Sequence, residues 1–376
     1  MVDLTPIINS ELARYGGPVL IYDTSRIRAN IVELTEAFGG DPTHVFFAVK
    51  SFPTPCIIRQ AWEAGIGFEV STEREYQLLP KDLSGRTVSL TGPLPQKPAR
   101  FLALGNQLQV QLEVPGGREN RTGATHCHFG LRLDHKSMPV DASLLVEKDR
   151  PSRFGVSWEV FLDSAPLFRN GVLSGVHLHN GSEVNTAEFY RAALQMILWA
   201  EKNNGIRLRY ANLGGGFHSI PQADLVQLLS DLRNDAGDLP IFIEPGHVLC
   251  RNAGFLLCRA QSVRPFGGER YHVTLDASYD CHAKWSRPSW AGPEDLQIVK
   301  MPYQTIPTPE PGFLFLVFTG ATCYEKDQLG IFRVPQMASG PPVAPGDPIL
   351  LSNINGYSFA WNTEFNGVPK ATVRFV

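Results

Sequence analysis

"LSGVHLHNGSEVNTAEFYRAALQMILWAEKNNGIRLRYANLGGG", residues 173–216, holds one full period of the pattern that decides the fold. LSGVHLHN (173–180) reads as a buried strand, and Thr186 to Glu201 has helical spacing. LRYANLGGG (208–216) is a strand again. A helix from Ala223 to Asp235 and the apolar run PIFIEPG (240–246) continue the alternation. The same rhythm runs upstream. Ser25 to Phe38 is helix-like behind a Thr24/Ser25 cap, and HVFFAVK (44–50) is a strand ending in a lysine. Further strands are expected at GFEVS (67–71), TVSLTG (87–92), LQVQLEV (108–114) and HCHFGLRLD (126–134). Helices are expected around Cys56 to Ala64, Glu73 to Leu79 and Lys97 to Leu104. Strands alternating with helices at short intervals mean a parallel sheet with helical crossovers. About eight such units between residues 24 and 250 suit a closed TIM-like (β/α) barrel, with an open doubly wound sheet as the alternative.

After residue 250 the pattern changes. FLLCRAQSVR, RYHVTLDAS, GFLFLVFTG, DPILLSNI and KATVRFV are strand-like and separated by Pro/Gly-rich loops, without long amphipathic helices. This half is expected to be a mostly antiparallel β domain. VLIYD (19–23) reads as a strand that joins it, giving 24–250 as the α/β barrel and 1–23 with 251–376 as the β domain.

The 376 residues are 43% hydrophobic and 19% charged, with a formal net charge of −3. That balance gives no case for nucleic acid or an anionic membrane as partner. No secretory signal is visible at the N-terminus, and no apolar run approaches the ~20 residues of a membrane span. Six cysteines without a CxxC pair argue against a zinc ribbon and a disulfide framework, so the cytoplasm is the expected compartment.

In such a barrel, reactive residues lie at the carboxyl ends of the strands. Lys50, Glu75, His179, the Gly214-Gly215-Gly216 run and Glu244 fall at such ends. Each has a plain reading by itself. Lys50 could extend its ammonium into water, and the glycines could form a tight turn. A desolvated lysine, however, has a lowered pKa and can condense with an aldehyde. NLGGGF (212–217) lacks the GxGxxG and Walker patterns, which points to a single phosphate rather than a dinucleotide or triphosphate. Glu244, buried before Pro245-Gly246, needs a cationic or protonated partner. The pairs His126/His128 and His177/His179 each share a strand face, and a barrel hydrolase would use such imidazoles on a metal. The supporting carboxylate ligands are not evident, so no metal is expected. Cys323 and Asp327 lie in a polar loop, an unusual place for a cysteine. A lysine for an aldehyde, an imidazole for a ring face, glycines for one phosphate and a carboxylate for a ring nitrogen together describe pyridoxal 5′-phosphate (PLP).

With these motifs the chain resembles the alanine racemase-like PLP-dependent decarboxylases over essentially its whole length. The likeness extends to diaminopimelate, ornithine and arginine decarboxylases. It is greatest to carboxynorspermidine decarboxylases, in overall length, in GATCYEKD (320–327) and in TEFNGV (363–368). The resemblance implies a PLP-binding barrel, a β domain and a head-to-tail homodimer with composite sites. It makes Lys50 of FAVKSF the lysine that binds the aldehyde, His179 the imidazole stacked on the pyridine ring, and Glu244 the partner of the ring nitrogen. Ser182, Gly215, Gly216, Gly246, His247 and Tyr357 fall on the phosphate side. In GFEVSTERE, Glu75 matches an acidic residue near the cofactor, and Glu69 stands where aspartate is usual. Cys323 matches the thiol that reaches into the neighbouring subunit and protonates the product carbon. Arg153 and Asp327 match a charged pair joining the subunits. Asp276, Arg287 and Tyr324 fall on the substrate side.

Two positions depart from the family pattern. His247 replaces the arginine of EPGR, and Tyr324 replaces the acid that binds a distal ammonium in relatives. Together with Arg287, Tyr324 favours a larger substrate bearing a carboxylate or amide. That substrate would be carboxynorspermidine-like, or a modified amino acid of a polyamine, siderophore or antibiotic pathway. A racemase of the same fold and a non-catalytic regulator are the alternatives.

Overall fold

A computed structural model describes residues 3–93, 98–115, 126–181, 185–302 and 308–376. The chain forms two compact units, Met1–Ile27 with Cys250–Val376, and Arg28–Leu249. Helix α1 (Thr5–Ala13) and strand β1 (Val19–Tyr22) belong to the first, and α2 (Thr24–Ala37) leads into the second.

The second unit is a parallel barrel. Its strands are β2 (Phe46–Ala48), β3 (Gly67–Val70), β4 (Thr87–Thr91), β5 (Gln107–Leu112), β6 (Cys127–Arg132), β7 (Gly175–His177), β8 (Tyr210–Asn212) and β9 (Ile241–Phe242). They pair in sequence order, each parallel to the next. A parallel bridge between Val45 and Ile243 joins the last strand to the first, and the Phe46 N–H donates to the Ile243 carbonyl at 2.8 Å. The sheet therefore closes, and the open doubly wound alternative falls. Crossovers include α3 (Pro55–Glu63), α4 (Glu73–Tyr76), α5 (Trp158–Asp163), α6 (Ala165–Arg169), α7 (Ala187–Asn204) and α8 (Gln222–Asp235). α7 buries Phe189, Tyr190, Ala193, Leu194, Ile197 and Ala200, the single stripe a surface helix turns to its core, and Gly205 ends it with φ +65°. Part of the barrel interior is filled by one ring. A Cβ at Gly175 would strike the Tyr210 ring and one at Gly130 its hydroxyl, so two glycines on β6 and β7 make room for Tyr210 of β8.

Three sequence expectations need correction here. HVFFAVK does not stay extended to its lysine: β2 stops at Ala48, and Val49–Ser51 make a single 3₁₀ turn that carries Lys50. The Ser51 hydroxyl donates to the Ala48 carbonyl at 2.7 Å, which closes that turn. Glu73 to Leu79 is helical only to Tyr76, with Pro80 close behind. The short helix expected from Lys97 to Leu104 is a 3₁₀ turn, Pro98–Phe101.

The first unit is built on a nine-stranded mixed sheet. Besides β1 it contains β10 (Gly254–Pro265), β11 (Arg270–Leu275), β12 (Ser289–Trp290), β13 (Val299–Lys300), β14 (Phe313–Thr319), β15 (Gln328–Pro335), β16 (Pro348–Ser352) and β17 (Thr372–Phe375). Its pairings are antiparallel apart from β11 with β14 and β1 with β17. VLIYD does join this sheet, between β10 and β17. Two short helices, α9 (Tyr279–His282) and α10 (Tyr357–Ala360), complete the unit. Among the described residues, no helix is long and apolar enough to cross a membrane.

Candidate active site

The carboxyl ends of the barrel strands gather a buried polar cluster. Lys50 is set at its edge by the turn after β2, and α3 follows behind a cap in which Thr54 Oγ1 accepts from the Ile57 N–H at 3.3 Å. Lys50 Nζ donates to Glu69 Oε2, while the Ser71 hydroxyl donates to Glu69 Oε1 at 3.2 Å. Glu69, at the middle of β3, is fully buried. Burial pushes its pKa up to about 7 against the opposing pull of the Lys50 charge. Glu75 lies to one side, its Oε2 accepting the Ser71 N–H at 2.6 Å.

Glu244 stands two residues beyond β9, its N–H bonded to the Gly214 carbonyl at 2.7 Å. Oε1 accepts from the Ser89 hydroxyl at 2.7 Å and Asn212 Nδ2 at 2.8 Å, with the Thr91 hydroxyl at 3.5 Å. Oε2 meets His177 Nε2 at 3.1 Å. Burial alone would raise the pKa of this carboxyl. The His177 contact, the Lys50 charge and the Ser89 hydroxyl outweigh burial and hold it at about 2, so Glu244 is ionised.

His179 lies two residues past β7. The Gly215 N–H points at its Nδ1, 3.2 Å away. Burial, reinforced by the Arg132 and Lys50 charges, lowers its pKa to about 3. The ring is therefore neutral, and the donor at Nδ1 leaves its proton on Nε2. Gly214 and Gly216 take φ +64° and +95°, and a Cβ on Gly216 would collide with Asn185 Nδ2. The Tyr190 hydroxyl holds the Gly215 carbonyl at 2.7 Å and Asn185 Nδ2 holds that of Gly216 at 3.1 Å. These bonds draw the carbonyls back and leave an all-glycine lip with no side chains in the way. Gly246 packs so closely on Ser51 that a Cβ would lie 2.9 Å from the Ser51 Cβ. His247 begins the next 3₁₀ turn, its ring 4.6 Å from that of His218. Ser182 lies outside the described residues.

Several residues of this cluster carry no sequence signal of their own. Ser89, Thr91 and Asn212 are ordinary polar residues until strand register aims them at one carboxylate. Arg132, the last residue of β6, is buried, bonded to Glu113 at 3.1 Å and stacked on Phe154 at 4.3 Å. A guanidinium closing an apolar strand is the same signal that picked out Lys50. His126 and His128 lie at the opposite end of β6 from Arg132, apart from His177 and His179. Among the described residues, no three His, Cys, Asp or Glu side chains are grouped to hold a metal ion.

The β unit carries the other expected residues. Cys323 is exposed, with its N–H bonded to Asn366 Oδ1 at 2.7 Å. Tyr324 beside it is also exposed. Asp327 was expected to face an arginine of a second copy; it is instead buried within its own loop. It accepts from the Tyr279 N–H at 2.7 Å and from the Thr322 N–H and hydroxyl at 3.1 and 2.5 Å. Asp276 has both oxygens engaged, by the Arg259 N–H at 2.8 Å and the Tyr15 hydroxyl at 2.7 Å, so a substrate there would compete with both. Arg287 is exposed, and its carbonyl accepts from Lys300 Nζ at 2.8 Å. Tyr357 starts α10 and meets the Trp285 ring edge-on at 5.1 Å.

Residues 24–250 match the family described as pyridoxal-dependent decarboxylase, pyridoxal binding domain. The chain belongs to that family. Among curated relatives of this decarboxylase, the diaminopimelate decarboxylase of Aquifex aeolicus is 23% identical over 390 residues, covering 96% of this chain and 87% of the relative. Among solved structures, the Paramecium bursaria Chlorella virus arginine decarboxylase bound to agmatine superposes with a TM-score of 0.73 at 15% identity, covering 99% and 100% of the two chains. The Campylobacter jejuni carboxynorspermidine decarboxylase complexed with norspermidine gives 0.64 at 17%, covering 96% and 94%. At these identities the superpositions show a shared fold.

The protein is a PLP-dependent decarboxylase, and its barrel fits the cofactor. The fit rests on the buried ionised Glu244, suited to a protonated pyridine nitrogen, and on the glycine lip, where a Cβ would clash with Leu178, Glu244 or Asn185.

Proposed function

We propose that this decarboxylase removes the α-carboxylate from an amino acid, or amino-acid conjugate, whose far end carries a carboxylate or amide. Modified amino acids of siderophore or antibiotic pathways carry such an end, whereas a carboxynorspermidine-like substrate, whose far end is an amine, is the rival reading. One observation supports this most. The residue after Cys323 is the exposed, uncharged Tyr324, and Arg287, which the resemblance puts on the substrate side, is exposed as well. An anionic substrate end suits that pair better than an ammonium does. Kinship to enzymes named diaminopimelate decarboxylases agrees with it, since diaminopimelate also has a second carboxylate.

In this reading Lys50 would hold the cofactor's aldehyde, His179 its ring face, and Gly215, Gly216, Gly246, His247, Ser182 and Tyr357 its phosphate, with Glu244 at the ring nitrogen. When bound, PLP supplies an electron sink for the pair of electrons left as carbon dioxide departs. Glu244 keeps its negative charge through the working pH range and so favours a positive ring nitrogen. Glu69, beside Lys50 and with a pKa near neutrality, can take and return the proton that Lys50 must lose to act as a nucleophile. The Cys323 thiol would deliver a proton to the product carbon.

We further propose a homodimer in which Cys323 serves the neighbouring copy's site. Exposed Tyr324, Trp285, Trp361 and Phe365 on the β unit form the kind of apolar surface that a second chain covers. The six cysteines are free thiols, in keeping with the cytoplasm.

Trapped carbon dioxide release from a substrate panel tests the reading, with Lys50→Ala as control. The panel would hold carboxynorspermidine, carboxyspermidine, diaminopimelate, lysine, ornithine, arginine and citryl-amino acid conjugates. Release from a substrate with a carboxylate or amide at its far end, absent in the variant, is expected. Preference for lysine, ornithine, arginine or the amine-ended carboxynorspermidine and carboxyspermidine would overturn the substrate assignment.

A further inference from the structure

His177 is among the most buried polar residues of the barrel, 1% exposed. It ends β7 and pairs in register with Asn212 of β8, so both side chains reach Glu244 from adjacent strands. The two carboxylate oxygens of Glu244 are loaded unequally. Oε1 already takes Ser89 and Asn212 at good distances. Among the described residues, Oε2 takes His177 alone. A carboxylate oxygen has two lone pairs, so Oε2 is where a second donor can dock.

We propose that His177 is a positioning residue for Glu244: a neutral donor that fixes Oε2 in place without cancelling its charge, leaving the full negative charge for the ring nitrogen of the cofactor. The proposal rests on the assignment of Glu244 to that nitrogen.

The protonation state of the imidazole decides whether this device works. A charged imidazolium would form a closed ion pair with Glu244 and weaken its pull on a second cation. A neutral ring with its proton on Nε2 donates a hydrogen bond and carries no net charge. The surroundings favour the neutral form: burial lowers the His177 pKa, and the cations Arg132 and Lys50 act in the same direction against Glu244. The far side of the ring agrees. Nδ1 is buried and has no hydrogen-bond partner among the described residues. In a neutral ring that atom is an acceptor. Protonation would make it a buried, unsatisfied donor instead. Gln109 Oε1 and Gln111 Nε2, two apart on β5, are likewise buried without partners, and Gln111 reaches the Tyr210 hydroxyl inside the barrel. Such atoms are what internal water bridges, and a water donating to Nδ1 would lock the required tautomer.

The test separates charge from shape by comparing two ligands. The chain freed of cofactor is titrated with PLP and with its 1-deaza analogue, in which a C–H replaces the basic ring nitrogen, and binding is followed by quenching of intrinsic fluorescence. Wild type should prefer PLP by at least about tenfold. His177→Leu should lose most of that preference by weakening PLP alone, its unchanged affinity for the analogue showing an intact site. His177→Gln, whose amide reaches the position of Nε2, should restore most of the preference. An unchanged preference in His177→Leu would overturn the role given to His177. Absence of any preference in wild type would overturn the assignment of Glu244, and the proposal with it.

Discussion

The barrel mouth and the exposed loops of the β unit are built to opposite specifications. At the mouth, Ser89, His177 and Asn212 are buried and hydrogen-bonded to buried Glu244, and buried Glu69 is bonded to Lys50 and Ser71. In the β unit, Cys323, Tyr324 and Arg287 are exposed on loops, and the buried residue there, Asp327, serves to shape the loop. A group that must hold charge in one place is best fixed by a rigid scaffold, whereas groups that choose among substrates can sit on replaceable loops. The contrast teaches where changes should alter chemistry and where they should alter selectivity.

The sharpest way to break the contrast is Glu244→Gln. The variant keeps the shape and loses the charge, so turnover should fall about 10²–10³-fold and PLP should bind more weakly. The same substitution has a signature in stability. The folded-state pKa of Glu244 is about 2 against an ordinary 4.5, so its contribution is complete above 4.5 and lost as the pH falls towards 2. Denaturation midpoints of the cofactor-free chain should therefore decline less steeply across that window in Glu244→Gln than in wild type.

Cys323→Ala probes the loop side. Turnover should fall about 100-fold while PLP affinity, measured by fluorescence, stays unchanged. A variant that loses cofactor as well would erase the division between the two regions. Arg287→Ala should be milder still. It should raise KM about tenfold for a substrate with a carboxylate end and leave kcat near wild type, which steady-state kinetics would resolve.

The smallest effect belongs to Glu69, and it runs in the opposite sense to Glu244. With its folded-state pKa raised to about 7, its contribution is complete below pH 4.5 and lost as the pH rises through 7. Glu69→Gln should flatten the stability profile between those limits, read from urea midpoints.

Much of the barrel was legible because its strands are apolar runs ending in charged or glycine residues. Lys50, His179, Glu244 and the triple glycine stood out as polar or flexible points where hydrophobic runs stop. Asn185 and Tyr190 did not, although they hold the glycine lip, because an asparagine before a helix and a tyrosine on its apolar stripe look like a cap and a core residue. The 3₁₀ turn under Lys50 was hidden because Val49 continues the strand's composition. α5 and α6 were overlooked because they are 6 and 5 residues long, too short for periodicity to emerge. β15 was overlooked for a different reason: it follows the CYEKD loop so closely that the loop's chemistry masked an eight-residue strand. Asp327 shows the limit of carrying a role across by position. Its match suggested a bond to another subunit, while the fold commits the carboxylate to its own loop.

The parallel pairing of β1 with β17 imposes an order of events on the ribosome. Residues 28–249 contain everything the barrel needs and can close while synthesis continues. Strand β1 waits for a partner encoded far downstream: Val19 pairs with Thr372 and Tyr22 with Phe375. At about 5–20 residues per second, that wait lasts tens of seconds, with an apolar strand edge open throughout. The cofactor half is thus in place well before the half that carries Cys323 is complete, and removing only the last few residues would leave β1 without one of its two neighbours.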